Sequence, residues 1–276
     1  MNFKSISHYL GLFCFPVSIL AFINILYSSY FDYFLSIDSY FTTLLISLFA
    51  GCGLLFLGKK SKKRINFIEQ LILVILVYLL VSTLIALPFY LSNYQVTFVN
   101  SFFEAISGVT GTGFSIFKNI KYLDPTLILW RSSSQWIGGL YFLFFLILIF
   151  SNKQFNFKMT DLTFSGDGNI NSENNIKNFL FKIFIIYSLL SLSIFLLLNT
   201  SDVRLFNSLN LSMSLISTGG FIPTDDINKI IYTNHHKIIF IFSLIISMLN
   251  FFLIFNIFEK KMINREHKED IYLIFL

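Results

Sequence analysis

Two short runs of small residues, Val109-Thr110-Gly111-Thr112-Gly113 and Ser217-Thr218-Gly219-Gly220, have the composition from which backbone atoms alone can build a binding site. Glycine accepts positive φ and close approach, so a Thr/Ser/Gly run can turn successive carbonyls the same way. Rings of such carbonyls replace the water around a permeating cation. Each run follows a helix-like stretch of roughly a dozen residues, too short to cross a bilayer and typical of a re-entrant segment. Such a half-helix aims the negative end of its dipole at the run, which also favours a cation. The bland alternative is a pair of outer loops with ordinary turn glycines. A single TGTG would weigh little against it.

The two stretches match each other without gaps. VNSFFEAISGVTGTGFSIF (99–117) and LFNSLNLSMSLISTGGFI (205–222) place Asn100-Ser101 on Asn207-Ser208, Ser107 on Ser214 and Gly113-Phe114 on Gly220-Phe221. The offset is 220 − 113 = 107 residues. At that offset the apolar blocks flanking the first stretch fall on those flanking the second. This pattern predicts an internal repeat of span, dipping helix, glycine-rich turn and span. Irregular backbone at membrane depth is tolerated only where protein buries it or where it lines a watery cavity. The paired runs therefore point to a cation pathway.

Other reactive side chains fit less well. Glu104 and Arg131 are ionisable groups at membrane depth, where such residues are functional candidates; structural support of the glycine runs is the reading favoured here. Asp225-Asp226 and His235-His236 suggest metal ligands by type, but their spacing fits no helix-borne ligand set and a solvated outer loop accounts for them. Asp161 and Asp167 fall in a polar loop. The sequence holds no Ser/His/Asp or Cys/His set, phosphate-binding glycine loop or zinc-protease motif. It is read as neither an enzyme nor a cofactor protein.

The elements that must position these runs are membrane helices. Hydrophobic residues make up 55% of the chain and charged ones 13%, about half the charge of an ordinary soluble protein. Apolar blocks at 9–28, 40–57, 67–91, 126–150, 177–198 and 237–258 predict six spans. The net charge of +5 does not imply nucleic acid, because the basic residues cluster in short loops: Lys59, Lys60, Lys62, Lys63 and Arg64; Lys153 and Lys158; Lys260, Lys261, Arg265 and Lys268. A cytoplasmic amino terminus puts all three clusters inside. The first block has no small-residue cleavage site and is expected to be retained. Cys14 and Cys52 lie inside apolar blocks and read as small apolar residues.

The runs, together with LWRSSSQWIGG at 129–139, resemble the membrane subunit of Trk/Ktr-type potassium transporters, specifically the TrkH-like branch. The resemblance covers the whole chain. It implies an all-α integral membrane protein in which two extra helices (1–64) precede two repeats of helix, pore helix, filter and helix (65–152 and 177–260). A cytoplasmic loop (153–176) separates the repeats, and the start of a third follows (261–276). It further implies filter strands at Val109, Thr110, Gly111, Thr112 and Gly113 and at Ser217, Thr218, Gly219 and Gly220, with Glu104 and Arg131 beside them. Potassium would be the cargo, and the site the plasma membrane (the bacterial inner membrane). Implied partners are a second copy in a homodimer or a complementing second-half chain, a cytoplasmic nucleotide-binding regulatory subunit (TrkA-like), and membrane lipid.

Three departures stand out. Gly111 sits where the family has a run of threonines and is expected to loosen the backbone. Leu140-Tyr141 follows Gly139 where the family continues with glycine. A third filter glycine at the same offset would fall near 220 + 107 = 327, whereas the sequence runs to Leu276. The expectation is a half-length transporter subunit. The competing expectation is a truncated membrane protein that conducts nothing, or a half-subunit that needs a second chain.

Overall fold

The computed structural model describes residues 2–33, 36–59, 65–150 and 173–248. These form eight α-helices, with short 3-10 turns and no strand among the described residues: α1 (Phe3–Tyr30), α2 (Ile37–Gly58), α3 (Phe67–Tyr90), α4 (Phe98–Val109), α5 (Pro125–Phe150), α6 (Glu173–Asn199), α7 (Leu205–Ile216) and α8 (Asn234–Met248). Five helices, α1, α2, α3, α5 and α6, are long and apolar enough to cross a membrane. Of the sixth expected span, the 15-residue α8 covers 237–248, and the rest lies outside the described residues. So do 60–64 of the first basic run, the loop over 151–172, the last basic cluster and the start of a third repeat.

Local chemistry sets the boundaries. α1 begins at Phe3, ahead of the predicted 9, because the Asn2 side chain accepts from Ser5 N and caps the first turn. α3 opens with a capping box, the Glu69 carboxylate accepting from Asn66 N at 2.9 Å. Glu69 also accepts from Asn2 N at 2.5 Å and so ties the start of α1 to α3. α6 starts at Glu173, within the segment assigned to the loop.

The short helices are about 12 × 1.5 = 18 Å long, well under the roughly 30 Å of a hydrocarbon core. α4 spans 98–109 and α7 spans 205–216, so both ends differ by the 107 residues read from the sequence. The correspondence extends to single dihedrals. Gln95 and Asp202, which precede the two helices, both have positive φ (52° and 64°). Ser101 and Ser208 each donate to the carbonyl four residues back, Thr97 and Arg204.

α5 is the axis of the packing. Its Trp130, Ile137, Tyr141 and Phe145 join a core with α1, α2, α3 and α4. Its Leu140, Leu143 and Ile147 join a second core with α6 and α7. In a membrane, contacts between helices rest on close packing and interhelical hydrogen bonds, and α5 has both. Trp130 Nε1 donates to Ile85 O at 3.0 Å, Tyr141 Oη to Phe13 O at 2.7 Å, and Trp136 Nε1 to Ser191 Oγ at 2.9 Å. Just ahead of its first residue Asp124 accepts from Ser36 Oγ at 3.3 Å, joining the α1–α2 connection to the first repeat.

Candidate functional site

Both glycine runs begin as helix C-caps. In the first, Gly111 N donates to Gly108 O at 3.0 Å and Thr112 N to Ser107 O at 2.9 Å. In the second, Thr218 N donates to Leu215 O at 2.8 Å and Gly219 N to Ser214 O at 2.9 Å. This pair of bonds is the Schellman arrangement, which needs a left-handed residue just past the cap. Gly111 (φ 69°) and Thr218 (φ 52°) occupy that position. The expectation that Gly111 loosens the backbone is therefore corrected. Position 111 demands positive φ, glycine satisfies it without strain, and threonine at 218 carries a cost on the order of 1–2 kcal/mol.

Two residues further on, Gly113 (φ 80°) and Gly220 (φ 79°) are again left-handed. The two runs lie against each other. A Cβ on Gly113 would run into the Gly219 carbonyl oxygen, and Gly220 faces Gly113 Cα. Thr110, Thr112, Thr218 and Gly220 are exposed along this face. The two runs, far apart in sequence, thus form one surface of backbone and hydroxyl groups at the ends of two short helices.

Glu104 and Arg131 brace that surface from behind. Both are buried (0% and 1% exposed), and Arg131 Nε meets Glu104 Oε1 at 2.8 Å. Glu104 also accepts from Ser115 Oγ (3.0 Å) and Ile116 N (2.8 Å), the segment leaving the first run. Arg131 donates from Nη2 to Ser115 Oγ (3.0 Å) and from Nη1 to Ile222 O (3.5 Å), the segment leaving the second. Its guanidinium stacks over Phe221 at 4.3 Å. One buried ion pair therefore joins α4, α5 and the exits of both runs. Every side-chain nitrogen and oxygen of the pair has a hydrogen-bond partner.

Sequence reasoning missed three residues of the site, all on α5. Gln135, fully buried, donates from Nε2 to Gly219 O at 2.5 Å and accepts at Oε1 from Phe221 N at 3.1 Å. A Cβ on Gly138 would overlap the Val109 carbonyl, and one on Gly139 would lie 2.9 Å from Ser217 Cβ. The two glycines let α5 press on the start of each run. The signal was present: Arg131, Gln135 and Gly138/Gly139 recur at i, i+4 and i+7/i+8, one face of a helix.

Of the other candidates, Asp225 Oδ1 accepts from Lys121 N at 3.1 Å, linking the loops that follow the two glycine runs, and pairs with Lys229 at 3.8 Å. His235 and His236 lie in the first turn of α8 and not in the expected loop, and His235 is exposed. His236 is not: it is buried at the start of α8 with its ring against Tyr232.

The chain is similar to known proteins along its length. A family model described as TrkH, cation transport protein, matches residues 36–275. An uncharacterized cation transporter of Methanocaldococcus jannaschii is 25% identical over 261 residues, covering 86% of this chain and 53% of that protein. The Trk system potassium uptake protein TrkG of Escherichia coli is 29% identical over 106 residues, covering 38% of this chain and 22% of its own length. The crystal structure of the potassium transporter TrkH from Vibrio parahaemolyticus superposes with a TM-score of 0.80 at 21% identity, covering 99% of this chain and 55% of that one. The match spans about half the length of the Methanocaldococcus protein and of the Vibrio structure, and about a fifth of TrkG. With that match, and a fold of two leading helices followed by paired helix–short helix–glycine-run–helix units, the chain belongs to the TrkH family of cation transport proteins.

Proposed function

We propose that this chain carries potassium across the plasma membrane as a channel-like subunit, the ion being held by backbone carbonyls of the runs Val109–Gly113 and Ser217–Gly220 other than those of Val109 and Gly219, which are turned onto α5. The observation that carries this reading is the repeated backbone: left-handed residues at 111 and 218 and again at 113 and 220, 107 residues apart, with the two strands in contact. The α4 and α7 dipoles end at these strands, which favours a cation over an anion. The names of the relatives, potassium uptake proteins and a potassium transporter, point to the same cargo. Glu104 and Arg131 support the filter and do not touch the ion. In this reading residues 1–64 are leading helices, 65–152 and 177–260 are pore repeats, 153–176 is a cytoplasmic loop and 261–276 opens a third repeat. The amino terminus faces the cytoplasm of a bacterium.

Two filter strands surround half of a four-part pathway. The other strands come from a longer form of this chain, a complementing chain or a second copy. A nucleotide-binding regulatory subunit docks on the cytoplasmic face.

The test is potassium uptake at low external potassium in a host lacking its own high-capacity uptake systems, with this chain alone and with the carboxy-terminal half of a relative. Growth rescue that Gly113→Asp abolishes, with the variant still in the membrane, is the expected result. Rescue that survives Gly113→Asp would sink the reading.

A further inference from the structure

We infer that Gln135, carried by the first repeat, is the positioning residue for the second repeat's strand, and that its side-chain amide is the reason position 219 is glycine. The inference rests on reading the two runs as filter strands. Gln135 uses both ends of its amide, the Nε2 donor on Gly219 O (2.5 Å) and the Oε1 acceptor on Phe221 N (3.1 Å). Only one orientation of the amide matches donor to acceptor at both ends. The side chain is fully buried, where an unpaired polar group is costly. The pairing therefore fixes the strand as firmly as it fixes Gln135.

Glycine at 219 has no backbone explanation. Its φ is not among the positive values of the chain, unlike those of its neighbours Thr218 and Gly220. The equivalent residue in the first repeat, 219 − 107 = 112, is Thr112, so a side chain is compatible with this place in the turn. What forbids it at 219 is Gln135, whose amide atoms fill the space a Cβ would take. The carbonyl that Gln135 holds is also the atom that abuts Gly113. One amide thus sets the second strand's direction and its distance from the first. The lock is one-sided: the residue equivalent to Gln135 in the second repeat, 135 + 107 = 242, is Phe242, exposed on α8.

The experiment uses the whole chain in lipid nanodiscs, comparing Gln135→Glu, Gln135→Met, Gly219→Ala and the double variant Gln135→Ala/Gly219→Ala. Hydrogen exchange at the Phe221 amide separates a hydrogen-bonded lock from mere packing, since Met keeps the bulk of Gln135 and Glu keeps the acceptor. Faster exchange is expected in both variants, by roughly tenfold in Gln135→Met, which has no acceptor for Phe221 N, and also in Gln135→Glu, whose carboxylate keeps that acceptor but sets an oxygen against the Gly219 carbonyl. Gly219→Ala lowers the thermal unfolding midpoint, and truncating Gln135 in the double variant recovers part of the loss. A Phe221 amide equally protected in Gln135→Met, or Gly219→Ala tolerated with Gln135 in place, would overturn the lock. If Gln135→Met does not fold, the comparison of Gly219→Ala with the double variant still decides. Midpoints in potassium and in sodium are read alongside. A wild-type midpoint that is the same in both counts against the filter reading and leaves the lock to be judged by exchange and by the double variant.

Discussion

Glu104 on α4 and Arg131 on α5 meet at 2.8 Å with both side chains out of contact with solvent. Taking one partner away leaves a buried charge and several orphaned hydrogen bonds, at a cost of about 3–5 kcal/mol. Glu104→Gln and Arg131→Met are each expected to lower the thermal unfolding midpoint in detergent and the amount of folded protein in the membrane. The double variant Glu104→Gln/Arg131→Met is expected to be more stable than Arg131→Met or Glu104→Gln alone, because no uncompensated charge remains. A double variant worse than both would show that the pair contributes more than mutual neutralisation.

Gly111 and Thr218 hold the same left-handed cap position, and the chain uses the better residue in only one of them. Gly111→Thr is expected to cost about 1–2 kcal/mol. Thr218→Gly is expected to move the other way, by a smaller amount because glycine loses more freedom on folding. Unfolding midpoints of the two variants, measured side by side, check both signs.

Gly113 and Gly220 have nearly the same φ but different surroundings. A Cβ at Gly113 collides with the Gly219 carbonyl, whereas the nearest atom to one at Gly220 is Gly113 Cα at 4.0 Å. Gly220→Ala is expected to carry backbone strain alone, about 1–2 kcal/mol. Gly113→Ala should cost more and should part the two strands, so potassium uptake falls further in Gly113→Ala than in Gly220→Ala at equal expression.

Gly138→Ala and Gly53→Ala make a matched pair inside long helices. The first drives a methyl group into the Val109 carbonyl and must push α5 off the first strand, an overpacking cost on the order of 1–3 kcal/mol. The second meets nothing within 4 Å and should gain up to about 1 kcal/mol from helix propensity. Opposite shifts of the unfolding midpoint are the expected outcome.

Much of this architecture is written locally. The apolar blocks, their lengths and the scarcity of charge determine helices in a membrane, because only helices and closed barrels satisfy the backbone there without water and blocks of about 20 residues have the length of a spanning helix. The offset of 107 residues determines the pairing of α3 with α6 and of α4 with α7, and places both glycine runs at the ends of short helices. Glycine after a dozen helical residues marks a C-cap; treating Gly111 as a loosened filter residue overlooked that local rule.

What only the tertiary structure decided is how the two runs meet. Periodicity along the chain says which residues share a face of α5, but not which runs that face touches. The contacts of Arg131 with both exits, of Gln135 with Gly219, and of Gly138 and Gly139 with Val109 and Ser217 all cross from one element to another. Their partners lie up to 91 residues away in sequence. The burial of His236, against the expectation of a solvated loop, has the same origin. Close packing and buried hydrogen bonds depend on which surfaces are brought together, and the order of residues along one helix does not contain that information.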